Sequence, residues 1–315
     1  VMYIHNRDGH LSGVLGLTVD DVLTAGDHEF QAILDAMRER FPFGSWKKGK
    51  GVYCGKLIEQ QPDWSITVSQ RAFAESIESV KLSADRRKEQ GEPVTPEELK
   101  SGRSALGSLS YLARESRPDL AGPVALLQAR VNELTVADLG EINRVTRLAR
   151  DFSEVCVVVQ CIPIADLCIS AFGDASWANT VKGASQAGWL CCFAHRSIQR
   201  GGMAPISPVS WKSHKLKRKC AHQFAAEVLA ISETVAVAEY MRVAMCELLD
   251  ASFDLCRPYR GADRLPIVVV TDSKGGYDNV TNPVPASSSD LRAAIDVAIV
   301  RDAMSRPAMS LRWVE

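Results

Sequence analysis

Four carboxylates in the second half of the chain lie at positions where an acidic residue needs a chemical explanation. Asp174 and Asp272 each end a short apolar run, from Leu167 to Gly173 and from Ile267 to Thr271. Acids at such strand ends lie where open α/β sheets bind their ligands. Taken singly, an acid that ends a strand is usually a turn residue. These two therefore point to chemistry only in combination with other acids.

Glu227 and Asp296 lie within predicted helices. Helical spacing places Glu227 on a mostly apolar face with Ile231 and Val235. A carboxylate there must be protonated, paired or bound to a metal, because burying a bare charge is very costly. Asp296 repeats this situation, although an exposed helix acid explains it equally well. The residues expected to form the apolar face of its helix are Leu291, Ile295, Ile299 and Val300.

Together the four acids suggest a site for divalent cations. They follow the order strand end, helix, strand end, helix within one stretch that is typical of a βββαβαβ unit. Such a cluster can hold two Mg²⁺ ions about 4 Å apart, one activating a water and one stabilising the leaving oxygen of a phosphodiester. Because the set contains no Cys or His, Mg²⁺, with Mn²⁺ as a substitute, is favoured over zinc.

A basic segment precedes the helix of Glu227. Charge runs of this kind are usually solvated surface. Cations at a helix N-terminus, however, oppose the helix dipole, so a phosphate backbone bound there would relieve the conflict and lie beside Glu227. The residues predicted to bind nucleic acid are Lys212, Lys215, Lys217, Arg218 and Lys219.

Length and composition limit the classes of protein. A chain of 315 residues, 46% hydrophobic and 24% charged, can form one large or two ordinary domains. Its net charge of -1 excludes a uniformly basic nucleic-acid binder. The nine cysteines include no C-x-x-C pair and are interpreted as reduced core residues of an intracellular protein. No apolar run is long enough to span a bilayer, and the first residues do not resemble a signal peptide.

The first half of the chain is predicted to mix short strands with helices. Residues 11 to 24 indicate two strands that meet at an acidic turn, Asp20-Asp21, and residues 51 to 68 indicate a hairpin. Residues 83 to 101 are polar and interrupted by prolines, which predicts an exposed linker. The predicted helices are 28 to 40, 69 to 80, 103 to 113, 120 to 130 and 136 to 151.

From about residue 155 the sequence pattern predicts mainly strands. A long helix, from about residue 221 to 249, separates three predicted strands from a later β-branched strand. A further helix is predicted from Ser289 to Met304. The predicted strands are 167 to 173, 186 to 194, 209 to 213, 266 to 271 and 309 to 314.

The ordered series of local sequences resembles copia-type retrotransposon polyproteins, from the end of the reverse transcriptase through the ribonuclease H (RNase H) domain. Each match alone is weak, and the series covers nearly the whole chain. In the RNase H part, residues 173 to 178 resemble the family's S-D-A-D-W-A, 209 to 213 its I-S-W-K-S, 227 to 230 its E-Y-x-A, 272 to 273 its D-N and 295 to 296 part of its H-I-D-I. Upstream, residues 19 to 21 resemble the end of Y-V-D-D, 107 to 113 resemble G-S-L-x-Y-L-A, and 117 to 120 match R-P-D-L.

This resemblance implies an α/β chain with two regions. The first is an α+β remnant of the reverse-transcriptase palm, thumb and connection. The second is an RNase H-like mixed sheet with flanking helices. The expected domains are 1–82, the end of the palm with a thumb-like region; 83–155, a linker and helical connection; and 156–315, the RNase H-like domain.

The implied activity is Mg²⁺-dependent hydrolysis of the RNA strand of RNA/DNA hybrids. The expected partners are the hybrid and the remainder of the Pol polyprotein, with no membrane, in a cytoplasmic virus-like particle or the nucleus. The implied catalytic, metal-binding residues are Asp174, Glu227, Asp272 and Asp296.

The chain also departs from the family pattern. Thr18 replaces the Tyr of the polymerase box, Ala293 and Ala294 replace the Lys and His before the last acid, and the last His is His222. Asp20 and Asp21 form only a polymerase half-site, because the third Asp of such polymerases is expected in a segment that precedes Val1. We interpret the chain as an excised fragment, and polymerase activity is not expected of it.

Two alternatives remain open at this point. One is a catalytically inactive nucleic-acid-binding remnant of a degenerate retroelement, which loss of any of the four acids would have favoured. The other is a nuclease or integrase of the same fold that acts on DNA. The polymerase-like residues 11 to 120 argue against an integrase.

Overall fold

A computed structural model describes residues 1–180, 183–282 and 290–315. Within these residues the strands are β1 (Met2–His5), β2 (Leu11–Thr18), β3 (Asp21–Gly26), β4 (Lys50–Tyr53), β5 (Lys56–Gln60), β6 (Ile66–Ser69), β7 (Val157–Val159), β8 (Leu167–Ser176), β9 (Gln186–His195), β10 (Ile206–Lys215), β11 (Ile267–Thr271) and β12 (Met309–Trp313). The helices are α1 (His28–Arg40), α2 (Arg71–Ser76), α3 (Pro96–Glu115), α4 (Ala121–Gln128), α5 (Val136–Asp151), α6 (Gln223–Leu249), α7 (Lys274–Thr281) and α8 (Leu291–Met304).

A five-stranded mixed sheet forms the second half of the chain, in the order β10-β9-β8-β11-β12. Strands β8, β9 and β10 pair antiparallel, whereas β11 runs parallel to both β8 and β12. Parallel neighbours need long crossovers, and α6 and then α7 with α8 provide them. The predicted mixed sheet with flanking helices is confirmed.

Helix α6 packs lengthwise along this sheet. Its buried residues, among them Ile231 and Val235, join the strand residues Ile169 and Val269 in the largest hydrophobic core. Gly173 on β8 permits this close approach, because a β-carbon there would lie 2.1 Å from Oγ1 of Thr234. The apolar periodicity that predicted the helix therefore describes its packed face correctly.

The helices α3, α4 and α5 form a second core around Leu109, Leu139 and Ile142. Predicted linker residues are partly ordered here, which corrects the sequence interpretation. Helix α3 begins at Pro96 with a capping box in which Thr95 and Glu98 bond each other's backbone N–H groups. That local signal lies inside a charged segment, where no apolar period reveals it.

The two smaller sheets are β1-β2-β3, at the start of the chain, and β4-β5-β6-β7, which β7 joins from after α5. The strands of β1-β2-β3 pack on α1 through Leu15, Phe30 and Leu34. Three short elements, β1, β7 and α7, were not predicted, and α2 is shorter than expected. The hairpin predicted for residues 51 to 68 is instead a three-stranded unit, β4-β5-β6. No helix among the described residues is long and apolar enough to cross a membrane.

Candidate active site

Asp174 and Asp272 come together at one end of the five-stranded sheet. Asp174 lies near the end of β8, and Asp272 directly follows β11, its parallel neighbour. The carboxyl ends of parallel strands meet at the same edge of a sheet. Both side chains are exposed there. The fold thus places side by side two acids that are far apart in sequence.

The electrostatic environment of Asp174 reflects this proximity. Although the residue is exposed, surrounding protein displaces water from its carboxylate, and this desolvation is the main cause that raises its pKa. Repulsion from Asp272 and, more weakly, from Glu227 raises the pKa further, while a hydrogen bond from the backbone N–H of Ala175 opposes the rise. The charges that perturb Asp174 are therefore other carboxylates.

Glu227 reaches this site from the first turns of α6. It is half-buried, and Nε2 of Gln223 donates to its Oε1 at 2.7 Å. The hydroxyl of buried Ser273 donates to Oε2 of Glu227 and also accepts from the backbone N–H of Gly276, so it caps α7 as well. Ser273 and Gln223 thus hold the Glu227 carboxylate, and sequence reasoning did not identify them as site residues.

Asp296 has a different partner from the other three acids. It is buried on α8, and Nη2 of Arg218 donates to its carboxylate. The apolar face predicted for this helix is wrong, because Leu291, Ile295 and Ile299 are exposed. Ser289, the predicted first residue of the helix, lies outside the described residues. Asp296 and Arg218 therefore form an ion pair in this structure, and their predicted roles in binding metal and phosphate stay predictions.

The remaining acids do not form a tight ligand cage. Within residues 1–180, 183–282 and 290–315, no three His, Cys, Asp or Glu side chains converge closely enough to hold a metal ion. Asp272 and Glu227 nevertheless both act on the Asp174 carboxylate, and the oxygen-only donor set of the three acids suits a hard cation. The hydrogen bond from Ser273 occupies one oxygen of Glu227.

A groove of about 500 Å³ runs past the acidic edge. Asp174, Asp272 and Trp211 line it, and Ala121 and Gly122 of α4 line it as well. Nε1 of Trp211 donates to the carbonyl of Ala113 at 2.7 Å and so links the sheet to α3. The helical region and the sheet therefore enclose the groove jointly.

The chain is similar to solved RNases H and to foamy viral proteins. RNase H1 from Halobacterium salinarum NRC-1 matches at 15% identity with a TM-score of 0.30, over 46% of this chain and 84% of that chain. The foamy viral protease-reverse transcriptase solved with RNA/DNA hybrid matches at 12% identity with a TM-score of 0.47, over 96% of this chain and 35% of that chain.

A second foamy viral protease-reverse transcriptase structure, dRH with double-stranded DNA, matches at 10% identity with a TM-score of 0.49, over 96% of this chain and 46% of that chain. This chain thus spans less than half of either foamy viral chain. No protein-family model and no curated protein matches the sequence.

The predicted nucleic-acid-binding residues differ in their exposure. Four of the five, Lys212, Lys215, Lys217 and Lys219, are exposed, and Lys212 borders the groove. Arg218 is the exception because of its ion pair. The exposed lysines remain suited to contact a phosphate backbone.

Asp20 and Asp21, the predicted polymerase half-site, lie at the turn between β2 and β3. Both are exposed, and Val19 beside them has a positive φ of 54° in this turn. The predicted pair of strands around an acidic turn is confirmed.

Asp174→Asn should raise the melting temperature (Tm) slightly at neutral pH in metal-free buffer. The pKa of Asp174 is higher in the folded protein than in the unfolded chain, so ionisation of this carboxyl opposes folding at a pH above its folded pKa. The difference in Tm between the variant and the parent should vanish as the pH falls through the folded pKa, because the parent carboxyl then becomes protonated and uncharged like the amide. Thermal melts across pH measure this. Asp8→Asn, at an exposed turn, is the control, and an equal gain in both variants would contradict the prediction.

Proposed function

We propose that this chain hydrolyses the RNA strand of RNA/DNA hybrids with divalent cations, as the RNase H part of a copia-type retrotransposon reverse transcriptase. The observation that supports this best is the placement of Asp174 and Asp272 at the ends of adjacent parallel strands beside an open groove, where Asp272 and Glu227 both raise the pKa of Asp174. Carboxylates held together in this way are stabilised by binding a cation. The ordered series of family-like sequences supplies the substrate class.

Each acid has a definable part in this reaction. Asp174, Asp272 and Glu227 would hold Mg²⁺, or Mn²⁺ in its place, and the bound metal would supply an activated water and stabilise the leaving oxygen. Asp174 and Asp272 are exposed, so they can meet a phosphate in the groove. Ser273 orients Glu227 through its hydroxyl. Cleavage between phosphorus and the 3′ oxygen would leave a 3′-hydroxyl.

The proposed roles follow the domain bounds expected from the sequence. Residues 156–315 carry the hydrolytic site, and residues 83–155 supply the facing wall of the groove. Residues 1–82, with Asp20 and Asp21, contribute an incomplete polymerase site, so we propose no polymerisation by this chain alone. The RNA/DNA hybrid and the remainder of the Pol polyprotein are the proposed partners.

A second candidate is hybrid binding without cleavage. It is favoured by the ion pair that engages Asp296 and by the lack of a tight cluster of ligands among the described residues. The exposed lysines near the groove would serve either function. The two candidates differ in one observable, the release of shortened RNA.

The decisive experiment incubates the chain with end-labelled RNA/DNA hybrid in Mg²⁺, Mn²⁺ or EDTA. Cleavage should require metal, and Glu227→Gln should reduce it at least about 100-fold, since even outer-shell changes at metal sites cost 10- to 100-fold. Glu233→Gln is the matched control, because Glu233 lies on the same helix and pairs with His214 instead. Binding without cleavage would support the second candidate, and neither binding nor cleavage would refute both.

A further inference from the structure

Asp272 differs from Glu227 in how its carboxylate is held. The Glu227 carboxylate accepts hydrogen bonds from Gln223 and Ser273. The Asp272 side chain is exposed and accepts no hydrogen bond from the residues that the structure describes. The direction of its carboxylate therefore depends on the backbone at Asp272, that is, on the two peptide planes that flank its α-carbon.

Hydrogen bonds fix both of these peptide planes. The plane before Asp272 carries the carbonyl of Thr271, which accepts from the backbone N–H of Val314 at 3.0 Å. The plane after Asp272 carries the carbonyl of Asp272 itself, which accepts from Nε1 of Trp313 at 3.0 Å. The N–H of that second plane belongs to Ser273 and donates to Oγ1 of Thr271 at 3.1 Å. The second plane is thus held at both ends by side chains.

The bond from Trp313 is not part of the strand ladder. Trp313 is the last residue of β12 and pairs with Thr271. The ladder and its extension at Val314 fix the plane before Asp272, whereas the carbonyl of Asp272 is reached only by a side chain that carries a donor, here the indole N–H. The half-buried ring is itself held by the ammonium group of Lys274, which lies 5.5 Å from its centroid.

The tether matters because the charges in the site push Asp272 away from Asp174. The two acids end neighbouring parallel strands, and the charge of Asp272 disfavours the ionised form of Asp174. Without a bound cation, this repulsion favours any backbone rotation that separates the two carboxylates. A fixed peptide plane resists that rotation. Ligands that are already held in the bound geometry bind more tightly, because less freedom is lost on binding.

We infer that Trp313 is a positioning residue for the metal ligand Asp272. Its indole N–H holds the carbonyl of Asp272, and the carboxylate is thereby kept beside Asp174. This inference rests on the proposed function, which makes Asp272 a metal ligand. The role of Trp313 is to raise the affinity for the cation, so it can be measured without RNA cleavage.

Trp313→Phe removes the indole N–H and keeps an aromatic ring beside Lys274. Binding of Mn²⁺ to the full chain, measured by isothermal titration calorimetry, should weaken about tenfold, the lower end for changes in the outer shell of a metal site. The Tm in EDTA should stay close to that of the parent. Trp177→Phe is the matched control, because the indole of Trp177 also donates to a backbone carbonyl, that of Cys220 at 3.1 Å. This control should bind Mn²⁺ like the parent.

Thr271→Val tests the other end of the same peptide plane and does not depend on Trp313→Phe folding. Valine lacks the hydroxyl that accepts from the N–H of Ser273, so this variant should also weaken Mn²⁺ binding. In cleavage assays, both variants should need more Mg²⁺ for the half-maximal rate and should approach the parental rate at saturating Mg²⁺. A merely structural role of Trp313 would not produce this shift in metal dependence.

The results separate failure of this inference from failure of the proposed function. If the parent binds Mn²⁺ and cleaves hybrids, but Trp313→Phe and Thr271→Val bind Mn²⁺ as the parent does, this inference fails alone. Equal weakening in Trp313→Phe and Trp177→Phe would also overturn it, because the loss would then not be specific to Asp272. If the parent neither binds Mn²⁺ nor cleaves hybrids, the proposed function fails and the inference fails with it.

Discussion

Asp272→Asn should reduce the rate of hybrid cleavage roughly 1000-fold. That is the upper range for removing one group that stabilises the transition state electrostatically. The amide has nearly the shape of the carboxylate but lacks its charge, so it binds a divalent cation poorly. The Asp272 side chain is exposed and forms no hydrogen bond with the described residues, while its backbone carbonyl accepts from Nε1 of Trp313 at 3.0 Å. The substitution therefore removes a ligand without removing a packing contact.

The measurement is single-turnover cleavage in saturating Mg²⁺, with hybrid binding in EDTA as the second readout. Binding and Tm should stay close to the parent, since the fold loses nothing. Asp278→Asn, a half-buried acid on the following helix, should cleave at the parental rate. Parental cleavage by Asp272→Asn would exclude this strand end as the metal site.

Arg117→Ala should have the largest effect on stability, about 3 kcal/mol, because it empties a buried site and leaves a backbone carbonyl without its donor. Arg117 is 2% exposed. It forms a two-pronged pair with Asp119, and its Nη1 donates to the carbonyl of Phe152 at 2.8 Å, at the end of α5. Removing the guanidinium leaves the carbonyl and the carboxylate without their charged donor, and it leaves a cavity.

Urea unfolding followed by circular dichroism measures this loss. Arg114→Ala, an exposed arginine at the end of α3, should change stability by less than about 0.5 kcal/mol. Arg117→Lys should recover only part of the loss, because an ammonium group cannot form the two-pronged contact. A loss below 1 kcal/mol in Arg117→Ala would show that the pair is not needed to hold α5.

The sequence was informative wherever local periodicity and burial agree. Helix α6 has its apolar residues on the packed face, and β8 and β11 are apolar runs bounded by acids. Apolar periodicity predicted the wrong buried face for helix α8. Its buried face carries Asp296 and small residues, while three large aliphatic residues are exposed. That face packs against α6 and α7, and Asp296 on it pairs with Arg218, 78 residues away. No local pattern contains that information.

The candidate site was predictable in its residue types and not in its surroundings. Acids at the ends of parallel strands must meet, so the pairing of Asp174 with Asp272 follows from fold class. The role of Ser273 depends on the exact turn into α7, and the wall formed by α4 depends on packing between segments distant in sequence. Such contacts arise only when the whole chain is folded.

The strand order also bears on the order in which the site assembles. Strands β8, β9 and β10 are consecutive in the chain and can pair by short loop closures, whereas β11 joins β8 only after the long α6 crossover. Contacts between distant segments carry a larger entropic cost and tend to form late. Asp174 should therefore be in place well before Asp272 arrives beside it. A chain interrupted during synthesis before residue 267 would have β8, β9 and β10 but lack Asp272, so the proposed hydrolysis would await the finished sheet.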